Sequence, residues 1–267
     1  MRLFKAVFLM EMRNILAYRF SFWINFFGTT IGQLGLSYFL WSSIFYGNKN
    51  TIIGGMSFQM MILYSFLAPM TLKTVNGMQS LNINQDIYDG GLNKYIIYPL
   101  SYFQFKWIQQ ITHVLSHLFQ LFVGLAIFAI FIGMPPEYTF HSLNILCFSI
   151  NLFIASTLFF AMEAIMEMTA FWADNVWSLS VLLRFIINLL SGAWLSLTLF
   201  PQWSQELFYY LPFKGMVYSP VRILMGSMDY SEWIQSQIMM IVWLCLISLV
   251  TKKVWQRGNL RYTGVGI

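Results

Sequence analysis

Charged residues are scarce in this sequence. Only 9% of its 267 residues are Asp, Glu, Lys or Arg, whereas 58% are hydrophobic and 19% are aromatic. A globular domain needs a far larger charged fraction to cover its surface, so this composition excludes an ordinary soluble protein. The apolar residues fall in runs of about 20, the length that a helix needs to cross about 30 Å of hydrocarbon. We therefore predict an all-α integral membrane protein.

Cysteine is rare as well, and the positive charge is dispersed. Cys147 and Cys245 both lie within apolar runs, which gives no sign of a disulfide framework. The net charge of +5 comes from basic residues scattered at the ends of apolar runs rather than clustered on one face, so no nucleic-acid partner is predicted. Because Glu11, Arg13 and Arg19 closely follow the first short apolar stretch, we expect no cleavable signal peptide.

Signatures of bond-making chemistry are missing too. The sequence contains no phosphate-binding loop of the G-x-x-x-x-G-K-[ST] type, and no long polar region that would house a nucleotide-binding domain. No Ser, His and Asp grouping, metal cluster or acidic pair suggests catalysis. We therefore predict that the chain is not an enzyme and holds neither a cofactor nor a metal. If nucleotide powers its activity, the motor is another chain.

Six hydrophobic runs are candidates for membrane spans, at about residues 20–45, 52–71, 107–132, 143–162, 176–200 and 234–250. Residues 1–19 place apolar side chains at helical spacing, with basic residues largely elsewhere on the helical wheel. That pattern predicts an interfacial amphipathic helix that lies on the membrane. Residues 201–232 are too polar, and too often interrupted by proline, for one full crossing.

The distribution of basic residues predicts the orientation. Cytoplasmic loops of membrane proteins carry an excess of Lys and Arg. With six spans, the N-terminal segment, the loop after span two and the tail lie on one side, and they carry most of the basic residues. Only Lys49, Lys214 and Arg222 lie on the other side. We therefore predict a multi-pass protein with both termini cytoplasmic and residues 201–232 facing outward.

Residues 78–106 form the one long polar interruption between the second and third hydrophobic runs. Asp86 and Asp89 flank one turn there, Gly90 and Gly91 allow a tight chain reversal, and Pro99 stops the helix that precedes it. We interpret this stretch as a cytoplasmic loop with a short helix along the membrane surface, against which a soluble partner pushes.

Four stretches together resemble the type-2 ABC exporter permeases, described as six-span ABC transport system permease components. They are LAYRFSFWIN (16–25), MSFQMMILYSFL (56–67), DIYDGGLNKYIIYPLSYF (86–103), and LPFKGMVYSPVRILMG (211–226) paired with the tail WQRGNLRYTGVGI (255–267). The third stretch is similar to the family's I-x-x-G-x-L-x-x-x-L-x-x-P-x-S loop. Tyr98 stands there where the family more often has Arg, and Asp89 where Glu is common.

The resemblance implies a single permease domain over residues 1–267 in a bacterial-type inner (cytoplasmic) membrane. A second permease, more often a different chain than an identical one, would complete a dimer, and two cytoplasmic ABC ATPase subunits would bind ATP and Mg. Residues 201–232 would form short re-entrant or extracellular helices that gate the exit. The ATPase would dock on the coupling loop, at Asp86, Ile87, Tyr88, Asp89, Gly90, Gly91, Leu92, Asn93, Lys94, Tyr98 and Pro99.

The function that follows is export of a hydrophobic or amphipathic substrate from the cytoplasm or the inner leaflet. The spans offer aromatic and aliphatic walls but few fixed charges that would recognise a small ion. A self-sufficient secondary transporter or channel is the alternative, and it would predict internal repeats and a path of buried charges. A membrane anchor that recruits a soluble partner through residues 86–100, without transport, is a third reading.

Two ionisable residues inside the predicted spans form a candidate pair. Glu163 and Arg184 each lie about ten residues from the turn expected near residues 173 and 174, which places them at the same depth at about 1.5 Å per residue. We predict an ion pair between them, which either fastens span four to span five or serves a proton or substrate. Glu167 shares a helix face with Glu163, and with Asp174 nearby these acids could form a cation path. Because Glu167 and Asp174 lie near the cytoplasmic boundary, we interpret them instead as a solvated edge.

His113 and His117 lie one helical turn apart, the spacing of paired metal ligands. No third ligand follows them in the sequence, so we expect interfacial histidines with satisfied hydrogen bonds rather than a zinc site.

Overall fold

The computed structural model of the chain describes residues 2–46, 51–139 and 141–262. Within these ranges the structure consists of α-helices and short turns, and the one β contact is an isolated bridge between Ile53 and Met56. The all-α class predicted from composition and apolar runs is confirmed.

Twelve α-helices occupy the described ranges: α1 Arg2–Ala17, α2 Arg19–Ile44, α3 Phe58–Asn76, α4 Ile83–Tyr88, α5 Asn93–Ile96, α6 Tyr102–Phe131, α7 Ser142–Met168, α8 Trp177–Leu190, α9 Gln202–Tyr210, α10 Phe213–Met216, α11 Tyr218–Leu224 and α12 Tyr230–Asn259. There are also two three-residue 3-10 turns: Thr169–Phe171 directly follows α7, and Leu197–Leu199 lies shortly before α9.

The helices α3 and α7 form the centre of the molecule. The helix α7 packs against α12, α11, α3 and α8, and α3 packs against α2 and α6 as well. Leu63 and Leu67 of α3, and Phe148, Leu152 and Phe159 of α7, have almost no exposed surface. The outer helices α2, α8 and α12 carry many large exposed apolar side chains. Such surfaces are unfavourable in water and favourable in lipid, as expected of a membrane protein.

Three of the helices are both long and apolar enough to cross a membrane: α6, α12, and α7 with the 3-10 turn that follows it. Each spans 30 residues, or about 45 Å at 1.5 Å per residue. The first two predicted spans correspond to α2 and α3, which have 26 and 19 residues and fall outside this strongly apolar class. A count of six spans therefore stays a prediction.

The predicted fifth span, residues 176–200, is not one continuous helix. The helix α8 has 14 residues and ends at Leu190, so it is about 21 Å long. Gly192 follows with φ of +85°, a left-handed conformation that suits glycine and ends helices. The turn is fixed because Tyr64 donates a hydrogen bond to the Gly192 carbonyl at 2.7 Å.

Residues 201–232 hold the three short helices α9, α10 and α11 and the start of α12. Pro201 and Pro212 directly precede α9 and α10, where a fixed φ and a missing N–H are compatible with a helix start. The helix α11 is largely buried against α7 and α3. This segment therefore folds back onto the core of the protein.

The N-terminal helix α1 lies against α6 and not by itself. Its inner face carries the buried carboxylate of Glu11, flanked by the half-buried side chains of Val7, Phe8 and Met12. The apolar face predicted to lie on the membrane thus contacts the protein in part. Arg2, Lys5 and Arg13 remain exposed on the other side.

Candidate functional site: the polar segment between α3 and α6

Residues 77–101 connect α3 to α6, and we call them the polar segment. Gly77, with φ of +57°, ends α3, and Ser101 begins α6 through a capping box in which its hydroxyl accepts from Gln104 N and Gln104 Oε1 accepts from Ser101 N. Between these ends the chain forms α4 and α5, joined by a turn at Gly90 and Gly91. Helix caps at both borders fix where the segment begins and ends.

Asp86 is the centre of a buried charge cluster at the end of α6. Lys106 Nζ and Tyr102 Oη lie 2.7 and 2.9 Å from Asp86 Oδ2, and Lys94 Nζ lies 2.9 Å from Oδ1. Burial alone would raise the pKa of Asp86, but the hydrogen bonds and charges of Lys106, Lys94 and Tyr102 outweigh burial and hold the pKa below its ordinary value. Asp86 is therefore ionised and fastens α4 to α6.

Lys106 makes two contacts with the polar segment. Besides its contact with Asp86, its Nζ donates a hydrogen bond to the Leu81 carbonyl at 2.7 Å. Only 5% of its side chain is exposed, compared with 53% for Lys94. Lys106 and Tyr102 were not predicted to be functional residues, although their spacing of four residues places both on one helix face at the start of α6.

The turn between α4 and α5 favours glycine at both of its positions. Gly90 adopts φ of +69°, which side-chain-bearing residues seldom adopt. A Cβ on Gly91 would lie 3.0 Å from Asp86 Oδ1 and 3.3 Å from Asp86 Cα, because the chain returns so closely that Leu92 N donates to the Asp86 carbonyl at 3.2 Å. The two glycines therefore allow α5 to pack directly beside Asp86.

The eleven predicted docking residues separate into three groups by exposure. Asp86, Ile87 and Leu92 are buried and lie beneath the surface, where they support the segment. Tyr88, Gly90 and Gly91 are half-buried. The third group is exposed and consists of Asp89, Asn93, Lys94, Tyr98 and Pro99. Ile97 is 80% exposed but was not among the predicted docking residues. We call these five residues and Ile97 the contact face.

Glu167 of α7 is a second anchor of the polar segment, and the expectation that it forms a solvated edge is wrong. Its exposure is 2%. Its carboxylate accepts hydrogen bonds from Ser80 Oγ at 2.8 Å, Leu81 N at 3.0 Å and Ile83 N at 2.6 Å. These donors lie at the start of α4, where amide groups have no partner within the helix. Helical spacing placed Glu167 near a boundary but did not reveal this distant contact.

Two further contacts lie in the polar segment and at its border. Tyr88 of the segment donates a hydrogen bond to the Ala173 carbonyl, at 2.7 Å, in the connection between α7 and α8. Tyr102, the first residue of α6, stacks on Trp255 of α12, with ring centroids 5.4 Å apart and planes 5° apart. The segment is thus bound to the connection after α7, and the helix that follows it is bound to α12.

Glu163 and Arg184 are brought together by α7 and α8. Arg184 Nη2 lies 2.7 Å from Glu163 Oε1, and Glu163 is almost fully buried. Glu163 Oε2 and Arg184 Nε have no hydrogen-bond partner within the part of the chain that the structure describes. The pair lines a cavity of about 520 Å³ between the polar segment, α7 and α8, whose walls also include Asn82, Glu167 and Trp177.

The two histidines of α6 both find hydrogen-bond partners. His113 Nε2 lies 3.1 Å from Glu11 Oε1 in α1, and His117 Nδ1 lies 3.0 Å from Gln120 Oε1. The hydrogen bond from His113 lowers the pKa of Glu11 and outweighs the opposite effect of burial. Among the described residues, no three His, Cys, Asp or Glu side chains form a group suited to a metal ion.

A second cavity, of about 470 Å³, lies between the polar segment and the end of α12. Aromatic side chains from both elements line it, among them Tyr95, Tyr98, Trp255 and Tyr262. Tyr98 and Pro99 belong to both the cavity lining and the contact face, so the cavity adjoins that face.

These features define an all-helical membrane protein with a compact polar segment anchored by buried charges. A family model described as "ABC-2 family transporter protein" matches residues 31–266, which is most of the chain. The protein therefore belongs to the ABC-2 transporter family, whose permeases are transmembrane components that lack the ATPase domain and work with ABC ATPase subunits. A search of curated proteins finds no match.

Proposed function

We propose that this protein is the permease subunit of an ATP-driven exporter, and that its contact face docks a cytoplasmic ABC ATPase subunit. The observation that carries the proposal is the construction of the polar segment. Its inner side is fixed by the buried carboxylates of Asp86 and Glu167, while its outer side presents exposed side chains. A rigid segment with an exposed face can pass a push from a soluble partner to packed helices as a rigid-body movement.

The chemistry of the contact face suits a protein partner. Ile97 and Tyr98 expose apolar surface on the polar segment, and the exposed Asp89 and Lys94 of the same segment carry opposite charges. Protein interfaces typically combine aromatic and aliphatic anchors with a polar rim. ATP and Mg bind in the partner subunit in this proposal, since the permease family lacks the ATPase domain.

The orientation follows from this docking. The contact face lies in the cytoplasm, both termini lie there as well, and residues 201–232 face outward as short re-entrant or extracellular helices at the exit. The excess of basic residues on the predicted cytoplasmic side supports this arrangement. We place the protein in a bacterial-type inner (cytoplasmic) membrane, where the contact face is accessible to a cytoplasmic ATPase.

A second permease, more often a different chain than an identical copy, completes the transporter in this proposal. Large apolar side chains on α2 and α8, such as Phe39 and Phe185, are exposed in the single chain. Lipid or the second permease can cover them. A transport path between two permeases would then be bounded by aromatic and aliphatic side chains, which suits a hydrophobic or amphipathic substrate.

A self-sufficient secondary transporter or channel is less well supported. Such proteins use buried charges along their path. Within the described ranges, Glu163 with Arg184 is the one ion pair that joins two predicted spans. A membrane anchor without transport would share the contact face, and it differs in showing no substrate-dependent ATP hydrolysis.

Mass spectrometry of the proteins that co-purify with the tagged chain tests the proposal, after gentle extraction from its native membrane. We expect an ABC ATPase and a second permease. Changing Ile97→Asp together with Tyr98→Ala on the contact face should release the ATPase, whereas Tyr210→Ala, which alters a more exposed tyrosine in α9, should not.

Recovery of the chain alone, under conditions that preserve other membrane complexes, would contradict the proposal and favour a self-sufficient transporter. Retention of the ATPase by the contact-face variant would place its docking site elsewhere. An identical permease in the complex, identified by two differently tagged copies that purify together, would decide for a homodimer.

A further inference from the structure

A buried carboxylate, that of Glu167, joins the polar segment to the central helix α7. Two of its three hydrogen-bond donors are main-chain amides, Leu81 N and Ile83 N, and the third is the Ser80 hydroxyl. Hydrogen bonds to an ionised carboxylate are shorter and stronger than neutral ones. We call this group of four residues the Glu167 clamp.

The clamp differs in kind from the anchor on α6. Lys106 reaches Asp86 and the Leu81 carbonyl through a flexible four-carbon stem, which can adapt when the segment shifts. Glu167 has a shorter side chain and accepts hydrogen bonds from three donors at once, two of them main-chain amides. A displacement of α4 along the membrane surface is therefore opposed most directly by α7.

The same face of α7 continues to the next helix. Glu163 lies four residues before Glu167, which is about one helical turn, and it holds Arg184 of α8 at 2.7 Å. Two adjacent carboxylates of α7 thus connect different elements, one to the polar segment and the other to α8. The cavity of about 520 Å³ lies between these two connections and is bounded by both of them.

We propose that Glu167 is the positioning residue that passes movement of the polar segment into α7 and, through Glu163 and Arg184, into α8, so that the cavity between them changes shape when the ATPase acts. This role rests on the proposed function, since it needs an ATPase at the contact face. The clamp lies behind that face and contributes none of its exposed side chains.

Labelling of a cysteine in α8 tests this role without knowledge of the substrate. Val181 lines the cavity and is exposed, so Val181→Cys provides a reporter, with the buried Cys147 and the exposed Cys245 both replaced by alanine. The complex that the tagged chain forms with its ATPase is treated with a maleimide, either without nucleotide or with ATP and vanadate. We expect the labelling rate to change with nucleotide in this parent.

Glu167→Gln should abolish that change while the ATPase is still recovered with the chain. An amide presents an NH₂ group to the main-chain donors and carries no charge, so it cannot hold all three of them. Ser80→Ala removes one donor of the three and should reduce the change in part. Glu206→Gln, an exposed glutamate in α9, is the matched control and should behave as the parent does.

The outcomes separate this role from its premise. If no ATPase accompanies the parent, the proposed function fails and the role of Glu167 with it. If the ATPase is retained but Glu167→Gln keeps the full change in labelling, or if the parent shows none, Glu167 does not transmit movement. Loss of the ATPase in Glu167→Gln would likewise overturn the role, because the clamp would then maintain docking. Should that variant fail to fold, an undiminished change in Ser80→Ala overturns it.

Discussion

Removing the charge of Asp86 provides a direct test of how the polar segment is held. In Asp86→Asn the side chain keeps its size, but Lys106 is left with its charge buried and only a carbonyl and a neutral amide beside it. Removing one partner of a buried ion pair typically destabilises by about 3 to 5 kcal/mol. Because Lys106 keeps the Leu81 carbonyl, we expect the lower end of that range, about 3 kcal/mol.

Hydrogen exchange measured by mass spectrometry is the appropriate assay, since the loss concerns one segment. A change of about 3 kcal/mol corresponds to a change in the opening equilibrium on the order of 100-fold, at about 1.36 kcal/mol per tenfold. Peptides that cover residues 78–101 should exchange faster by that factor, while peptides of α9 and α11 should not change. The variant is compared with the unaltered protein in the same detergent or nanodisc.

Lys94→Ala is the matched comparison. Lys94 also contacts Asp86, at 2.9 Å, but half of its side chain is exposed, and exposed ion pairs typically contribute about 0 to 1 kcal/mol. In Lys94→Ala, hydrogen exchange of the peptides that cover residues 78–101 should become faster by less than about tenfold. An equal effect of the two variants, or an effect of Asp86→Asn below about threefold, would refute the view that burial of Lys106 sets the strength of this anchor.

Three further predictions follow from the same geometry. The pKa of Asp86 is lowered in the folded protein, so the contribution of Asp86 to stability is complete above its ordinary pKa of 3.8 and is lost as the pH falls through the lower folded value. Hydrogen exchange of the polar segment, corrected for intrinsic rates, should therefore be constant from neutral pH to about pH 5 and rise only in stronger acid. Gly91→Ala should destabilise the protein by about 1 to 3 kcal/mol, because the new Cβ meets Asp86. The control Gly28→Ala lies in α2 with open space around it and should be neutral or slightly stabilising. Thermal unfolding of the two variants distinguishes them. Glu163→Gln alone should lower the unfolding temperature more than Glu163→Gln combined with Arg184→Met, since the double change leaves no unpaired charge. In the double-mutant cycle of these two changes, losses of stability that simply add would contradict a direct interaction.

Some features of the fold were accessible from the sequence because they depend on local composition. The polar segment is recognisable as a break in hydropathy, and counting residues from the expected turn places Glu163 and Arg184 at one depth. The end of α8 was not recognised, because residues 191–200 are as apolar as the helix before them. Ser191 and Gly192 were the available signal for a helix end, but hydropathy outweighed it in the choice of a span.

The anchors of the polar segment were missed for a different reason. Glu167 lies more than 80 residues from the amides that it binds, and nothing in its sequence neighbourhood distinguishes a buried cap from a solvated carboxylate. Lys106 appears in the sequence as one more basic residue near the end of a span. Contacts of this kind depend on how helices pack, which periodicity does not determine.

Anchors and contact face use almost separate sets of side chains, and Lys94 is the one residue that belongs to both. Asp89, Ile97, Tyr98 and Pro99 can change without disturbing the buried charges beneath them. In the proposed complex, a few substitutions on the outside would adapt the same permease to a differently shaped ATPase, while its helices and their connections stay as they are. Recognition of the motor and transmission of its force would in this way be independently adjustable.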